Sequence, residues 1–212
     1  MIMRWRITAA MLAALLLSLL APLAAIGATV KPLEVVTEKI LVLETERLAG
    51  EHAMNSALVR RSLERLDKQM NIMSRERTAE SLKLLLDARE SLAAAVRSAG
   101  GLSGYVREVR GRLESGGHGR FIPLERLNDE IEKPFHSSLE RFLATATDFV
   151  QFCNDNMEAI TSGQAAENKR YDDHYAAYLR EMKAFNSQSM KRSQLLADWS
   201  AEYPALLELL PR

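Results

Sequence analysis

The side chains best suited to chemistry gather in the last third of this sequence. Cys153 and His174, with Asp148, Asp155, Asp172 and Asp173 near them in the chain, are of the types that ligate metals. Structural zinc normally takes four Cys or His ligands and only two are in prospect, so no metal is expected and these two stand as weak candidates. Di-iron bundles need Glu-x-x-His pairs on two helices and covalent haem needs Cys-x-x-Cys-His; the sequence has neither. The histidines, His52, His118, His136 and His174, sit in helical or glycine-rich contexts with no nucleophile elbow, so no hydrolase triad is indicated. The glycine run Gly111 to Gly117 lacks the Lys-Ser/Thr of a phosphate loop, and no strand precedes it. No catalytic residue and no cofactor are expected.

Two other groups could bind without reacting. Residues 28 to 104 contain no aromatic residue, and twelve of the thirteen in the chain follow. Phe149, Phe152, Tyr171, Tyr175 and Tyr178 are the candidate ligand-binding residues, because each buried tyrosine hydroxyl needs a partner that a bound molecule could supply. Packing is the plainer account of an aromatic stripe at helical spacing. Arg107, Arg110, Arg112 and Arg120, with only Glu108 and Glu114 among them, form a basic patch suited to an anionic membrane surface. The plainer account there is a solvated face.

Helices must position these residues. Leu33, Val36, Ile40 and Leu43 keep three-and-four spacing, and after Gly50 a second register in Val59, Leu63, Leu66, Met70 and Met73 suggests a kink. The polar stretch 74–78 is read as a tight turn before a second helix through Leu82, Leu85, Leu92, Val96 and Ala99. Seven of the ten glycines fall between Gly100 and Gly119, which predicts a weakened helix ending by Ser115 and a loop at 116–122. Pro123 opens the third helix and Pro134 marks a kink or restart. Phe135, Leu139, Phe142, Ala146, Phe149, Cys153, Asn156 and Ile160 then alternate four and three until Gly163. Tyr171, Tyr175, Tyr178, Met182 and Phe185 answer them on a fourth helix, Ser189 and Arg192 interrupt, and Leu196, Trp199 and Tyr203 resume. Segments of about 30–74, 79–115, 123–162 and 164–203 predict an all-α, up-down-up-down four-helix bundle. The alternative is an elongated helical hairpin or coiled coil built on one helix from 51 to 99. A turn centred at Gly163 and Gln164 would set Phe149 opposite Tyr178, Phe142 opposite Phe185, Phe152 opposite Tyr175 and Cys153 opposite His174.

The front of the chain sets the compartment. Arg4 and Arg6 precede an uncharged run from Ile7 to Val30, near whose end small residues at Gly27 and Ala28 form a cleavage region. Residues 1–28 are read as a signal peptide, or as a signal-anchor helix that stays, and residues 29–212 as one extracytoplasmic helical domain. The product is expected to be exported, periplasmic or secreted, or held by one N-terminal helix. Without Arg4 and Arg6 the chain has 26 basic residues against 28 acidic, which excludes a nucleic-acid binder. The single Cys153 excludes an intrachain disulfide.

These features predict a non-catalytic, envelope-exposed interaction protein that binds another envelope protein, a second copy, or the membrane surface through helix faces or bundle ends. The alternative is a sensor-like bundle that binds a small molecule, a metal or non-covalent haem. In architecture alone the expected bundle is similar to the extracytoplasmic four-helix sensor domains of bacterial chemoreceptors, without their second span and signalling part, so any signal would pass through a partner.

Overall fold

A computed structural model describes residues 32–56 and 74–210. The expected export leader and the apolar register from Val59 to Met73 lie outside the described residues. Val36–Arg212 form one compact unit; of the unit before it, only the first turn of α1 is described. Among the described residues every regular element is helical, so the chain is all-α.

In chain order the helices are α1 (Pro32–Asn55), α2 (Arg75–Ser115), α3 (Pro123–Arg126), α4 (Lys133–Asp155), α5 (Met157–Thr161), α6 (Ala165–Glu202) and α7 (Pro204–Leu207). A 3-10 turn, Gly119–Phe121, precedes α3, and a π-helical segment, Leu127–Glu132, joins α3 to α4. Among the described residues no helix is long and apolar enough to cross a membrane.

The stretch 74–78 is a helix start. Ser74 is extended, with φ −145° and ψ 151°, and its side chain accepts from the Arg77 N–H at 3.3 Å, so α2 begins at Arg75. Gly50 lies inside α1, which runs on as one helix to Asn55. It is a point of close approach: a Cβ there would meet Ser98 Oγ at 2.7 Å and Ala95 Cα at 3.2 Å. That contact also excludes one straight helix from 51 to 99, in which residues 50 and 95 would stand about 68 Å apart at 1.5 Å per residue.

Among the described residues, the connections that follow α2 and α5 close on glycine. Gly117 and Gly163 have φ of 74° and 76°, a region open to glycine, and the next residues bond back five positions, His118 N–H to Leu113 O at 2.8 Å and Gln164 N–H to Ala159 O at 3.1 Å. Pro134 explains the π segment. Its ring would clash with a carbonyl four residues back in a regular α-helix, and the wider turn relieves this, with the Lys133 N–H bonding Asn128 O five residues back.

The contacts run antiparallel from helix to helix. Lys39 lies over the Tyr105 ring at 4.2 Å, and Thr78 on α2 bonds Asn154 on α4 at 2.9 Å while Ser103 meets Asn128 at 2.8 Å. On α4 and α6, Phe142 stacks on Phe185 at 5.6 Å and Phe149 meets Tyr178 at 5.7 Å, as the aromatic spacing predicts. Nearer the turn the expected pairing slips: Phe152 stacks on His174 at 4.4 Å, and Tyr175 turns to Phe149 at 5.6 Å. The rings nearest the turn thus pair one position away from the ideal hairpin register, which Phe142 and Phe149 farther along α4 keep.

The buried apolar side chains fall into two clusters. One holds Met54, Leu85, Leu92, Phe142, Phe149 and Tyr178, and the other Val36, Ile40, Leu102, Leu113, Phe121 and Trp199. Between the clusters lie the charged residues Glu44, Arg47 and Glu51 of α1, Glu132 of the π segment and Arg192 of α6.

Candidate functional site

The buried stripe of α1 runs Val36, Ile40, Glu44, Arg47, Glu51, Met54, a heptad-like register whose middle three positions are ionic. The π segment brings Glu132 to the same level, α4 brings His136 and α6 brings Arg192. Glu44 and Glu132 are each 1 % exposed, and the Arg192 side chain 16 %. Charges this deep persist only if paired and hydrogen-bonded.

Every charged group here has such a partner. Arg47 donates through Nε and Nη2 to the two oxygens of Glu44, each at 2.7 Å, and its Nη1 stands 3.9 Å from Glu132. Arg192 donates through Nε to Glu132 Oε2 at 2.7 Å and through Nη2 to Glu132 Oε1 at 2.9 Å and Glu51 Oε2 at 2.8 Å. The other face of its guanidinium lies over the Phe135 ring at 4.5 Å. His136 Nε2 sits 2.7 Å from Glu51 Oε1. Three carboxylates face two guanidiniums, so the layer carries one net negative charge with a neutral imidazole and none with an imidazolium.

Burial pushes the Glu51 carboxyl upward, but the His136 hydrogen bond and the charges of His136, Arg192 and Arg47 outweigh it and hold the group below its usual range. Burial likewise lowers Arg47, and the Glu44 hydrogen bond with the charges of Glu44, Glu132 and Glu51 raises it above its usual value.

Glu51, Glu132 and His136 place three metal-capable atoms within 4.8 Å of one another. The cation among them is Arg192, which bonds both carboxylates; a metal would have to displace it. As built, the cluster is a closed ionic layer that joins α1, the π segment, α4 and α6. Buried polar groups of this kind fix helix register in coiled coils.

The aromatic candidates pack on one another. Phe149 contacts Tyr171 at 5.3 Å, Tyr175 at 5.6 Å and Tyr178 at 5.7 Å, while Phe152 has His174 stacked on it and Arg170 over its ring at 5.1 Å. None of the five lines the three cavities described around the molecule, which open elsewhere. The His174 ring stacks on Phe152, and burial pushes the Cys153 thiol up to about 12.

Half of the arginine patch is neutralised by acids that follow it in sequence. Arg107 pairs with Glu125 at 2.9 Å and Asp129 at 2.6 Å, and Arg110 reaches Glu114 at 3.5 Å and Glu125 at 3.8 Å. Arg112 is exposed, and Arg120, also exposed, lies over Phe121 at 5.6 Å. Arg107 and Arg110 are thus ties between α2 and the α3 region.

Comparison of the chain with protein-family models, with curated proteins and with solved structures gives no match.

Proposed function

We propose that the chain is an exported, non-catalytic interaction protein, an up-down-up-down four-helix bundle whose α6 face docks a helix of another envelope protein. The observation that carries this reading is the imbalance of α6. Only Tyr178 and Trp199 of its 38 residues are buried, and Tyr175, Leu179 and Met190 are exposed, Met190 by 76 %. At about 100° per residue these three fall within about 60° of one another, a stripe roughly 22 Å long. An apolar stripe of that shape suits a partner helix laid along it.

Export is supported by Arg4, Arg6 and the uncharged run from Ile7 to Val30. The bundle order is supported by the antiparallel contacts of α1 with α2, α2 with α4 and α4 with α6. Arg112 and Arg120 remain for an anionic membrane surface, at about 1 kcal/mol each. The closed ionic layer fits a binding part better than a reactive one, because its charged groups are engaged with one another.

A photo-activatable side chain at Met190 or Leu179, in the full chain expressed in cells, tests the docking face. Both positions should give one and the same discrete envelope adduct, and exposed Ala94 on α2 should not. An adduct with a second copy of the chain would make the partner a homodimer. Equal labelling from Ala94, or none from α6, would refute the α6 interface.

A further inference from the structure

A cavity of about 360 Å³ opens between α2 and the start of α4. Val96, Gly100 and Gly104 form its α2 side, and a Cβ added at either glycine would meet nothing within 4 Å. The volume lies in the range of small-molecule sites, about 300–1,000 Å³.

The buried polar residues of its wall are Ser103, Asn128 and His136, at 4, 7 and 3 % exposed. Ser103 is engaged: its hydroxyl donates to Gly100 O at 3.3 Å and accepts from Asn128 Nδ2 at 2.8 Å. The same amide nitrogen donates to Asp129 Oδ1 at 2.9 Å, and Asn128 Oδ1 has no donor among the described residues. His136 bonds Glu51 through Nε2, and its Nδ1 has no partner among the described residues. Neither of these two free atoms is sealed from solvent, and the cavity is the opening that both residues line.

Glu51 decides what the His136 Nδ1 offers. Its carboxyl is held below the usual range, so it is ionised at neutral pH, and a carboxylate only accepts. Nε2 therefore carries the hydrogen of the neutral ring, and Nδ1 presents a lone pair. Two almost fully buried side chains thus turn one acceptor each to the same cavity. The charges on the rim cancel, Arg107 with Asp129 at 2.6 Å and Lys133 with Glu140. Behind His136 the ionic layer sets three carboxylates against two guanidiniums, which leaves one net negative charge beside the neutral imidazole.

We propose that this cavity binds a small organic ammonium, whose N–H groups donate to His136 Nδ1 and Asn128 Oδ1 and whose charge offsets that of the layer. An anion would meet two lone pairs and an uncompensated carboxylate. An apolar molecule would displace water from both acceptors and give them no donor. An alcohol would serve one acceptor and leave the charge as it is. No residue of α6 lines this cavity, so this proposal and the α6 interface fail separately.

The full chain is titrated at pH 7 and fixed ionic strength with butylammonium chloride, sodium butyrate and butanol, followed by calorimetry and by the ring-nitrogen NMR resonances of its histidines. Butylammonium should bind saturably, at least tenfold more tightly than butyrate or butanol, and should move the Nδ1 resonance of His136. Gly104→Leu places a side chain in the cavity where an added Cβ has room, and leucine is the better helix former. It should abolish binding while the helical circular dichroism is kept. Butyrate or butanol binding as tightly as butylammonium would overturn the proposal. So would binding that survives Gly104→Leu or leaves the His136 Nδ1 unmoved, or no saturable response to any probe, the outcome of a cavity that holds water only.

Discussion

Arg192 and Glu51 stand 141 residues apart in sequence and 2.8 Å apart in space. One belongs to the last long helix and the other to the first, so the contact closes the molecule across its interior. The same guanidinium holds Glu132 on the π segment through two bonds. Replacing such a layer whole by apolar residues is often neutral for stability, whereas removing one member leaves a buried charge alone. The layer thus favours one register of α1, α4 and α6, with the two apolar clusters supplying most of the favourable energy.

The layer gives the protein an acid-sensitive element. Because the Glu51 carboxyl is held lower in the folded chain than its ordinary 4.5, it contributes stability above that value and loses it as pH falls further, through the folded value. Urea midpoints measured from pH 7 down to pH 3 should drop most steeply below about pH 4.5. Glu51→Gln should start lower and show a shallower drop; an unchanged slope would remove Glu51 from this role.

Two glycines of the same type should respond in opposite directions. At Gly50 an added methyl group meets Ala95 backbone and the Ser98 hydroxyl, so Gly50→Ala should cost about 1–3 kcal/mol in urea unfolding. Gly101 has nothing within 4 Å of an added Cβ and lies inside α2, so Gly101→Ala should stabilise by up to about 1 kcal/mol. Equal effects at the two sites would contradict the close approach of α1 and α2.

Cys153 should behave as an inert core residue. It is buried and its thiol is pushed up to about 12, so reaction with a thiol-specific disulfide reagent at pH 8 should be slow in buffer and complete in urea. Fast native labelling would mean that α4 opens locally at this level.

The helical class, the end of α2 at Ser115, the Gly163 turn and the Phe142–Phe185 and Phe149–Tyr178 contacts were legible in sequence, because each depends on local periodicity or on a glycine cap. The ionic layer was not. Charged residues ordinarily face water, so the apolar count on α1 stops at Leu43, although the buried register passes on through Glu44, Arg47 and Glu51. The interruption of the α6 stripe at Arg192 was its trace: a charged residue at a core position, whose partners lie 60 and 141 residues away. Pro134 signalled a kink, and only the packed structure gives it as a π turn that carries Glu132 inward. The pairing of Arg107 with Glu125 and Asp129 was not legible either, because those acids follow beyond the loop.

A double-mutant cycle between Glu51 and Arg192 tests the layer most directly. Glu51→Gln and Arg192→Met are made singly and together, and unfolding free energies are taken from urea titrations at pH 7. Each single change should cost about 3–5 kcal/mol, and the double should cost clearly less than their sum, with a coupling above about 1 kcal/mol. Additivity within about 0.5 kcal/mol, the behaviour of independent sites, would mean that the first and last long helices are not joined through this layer.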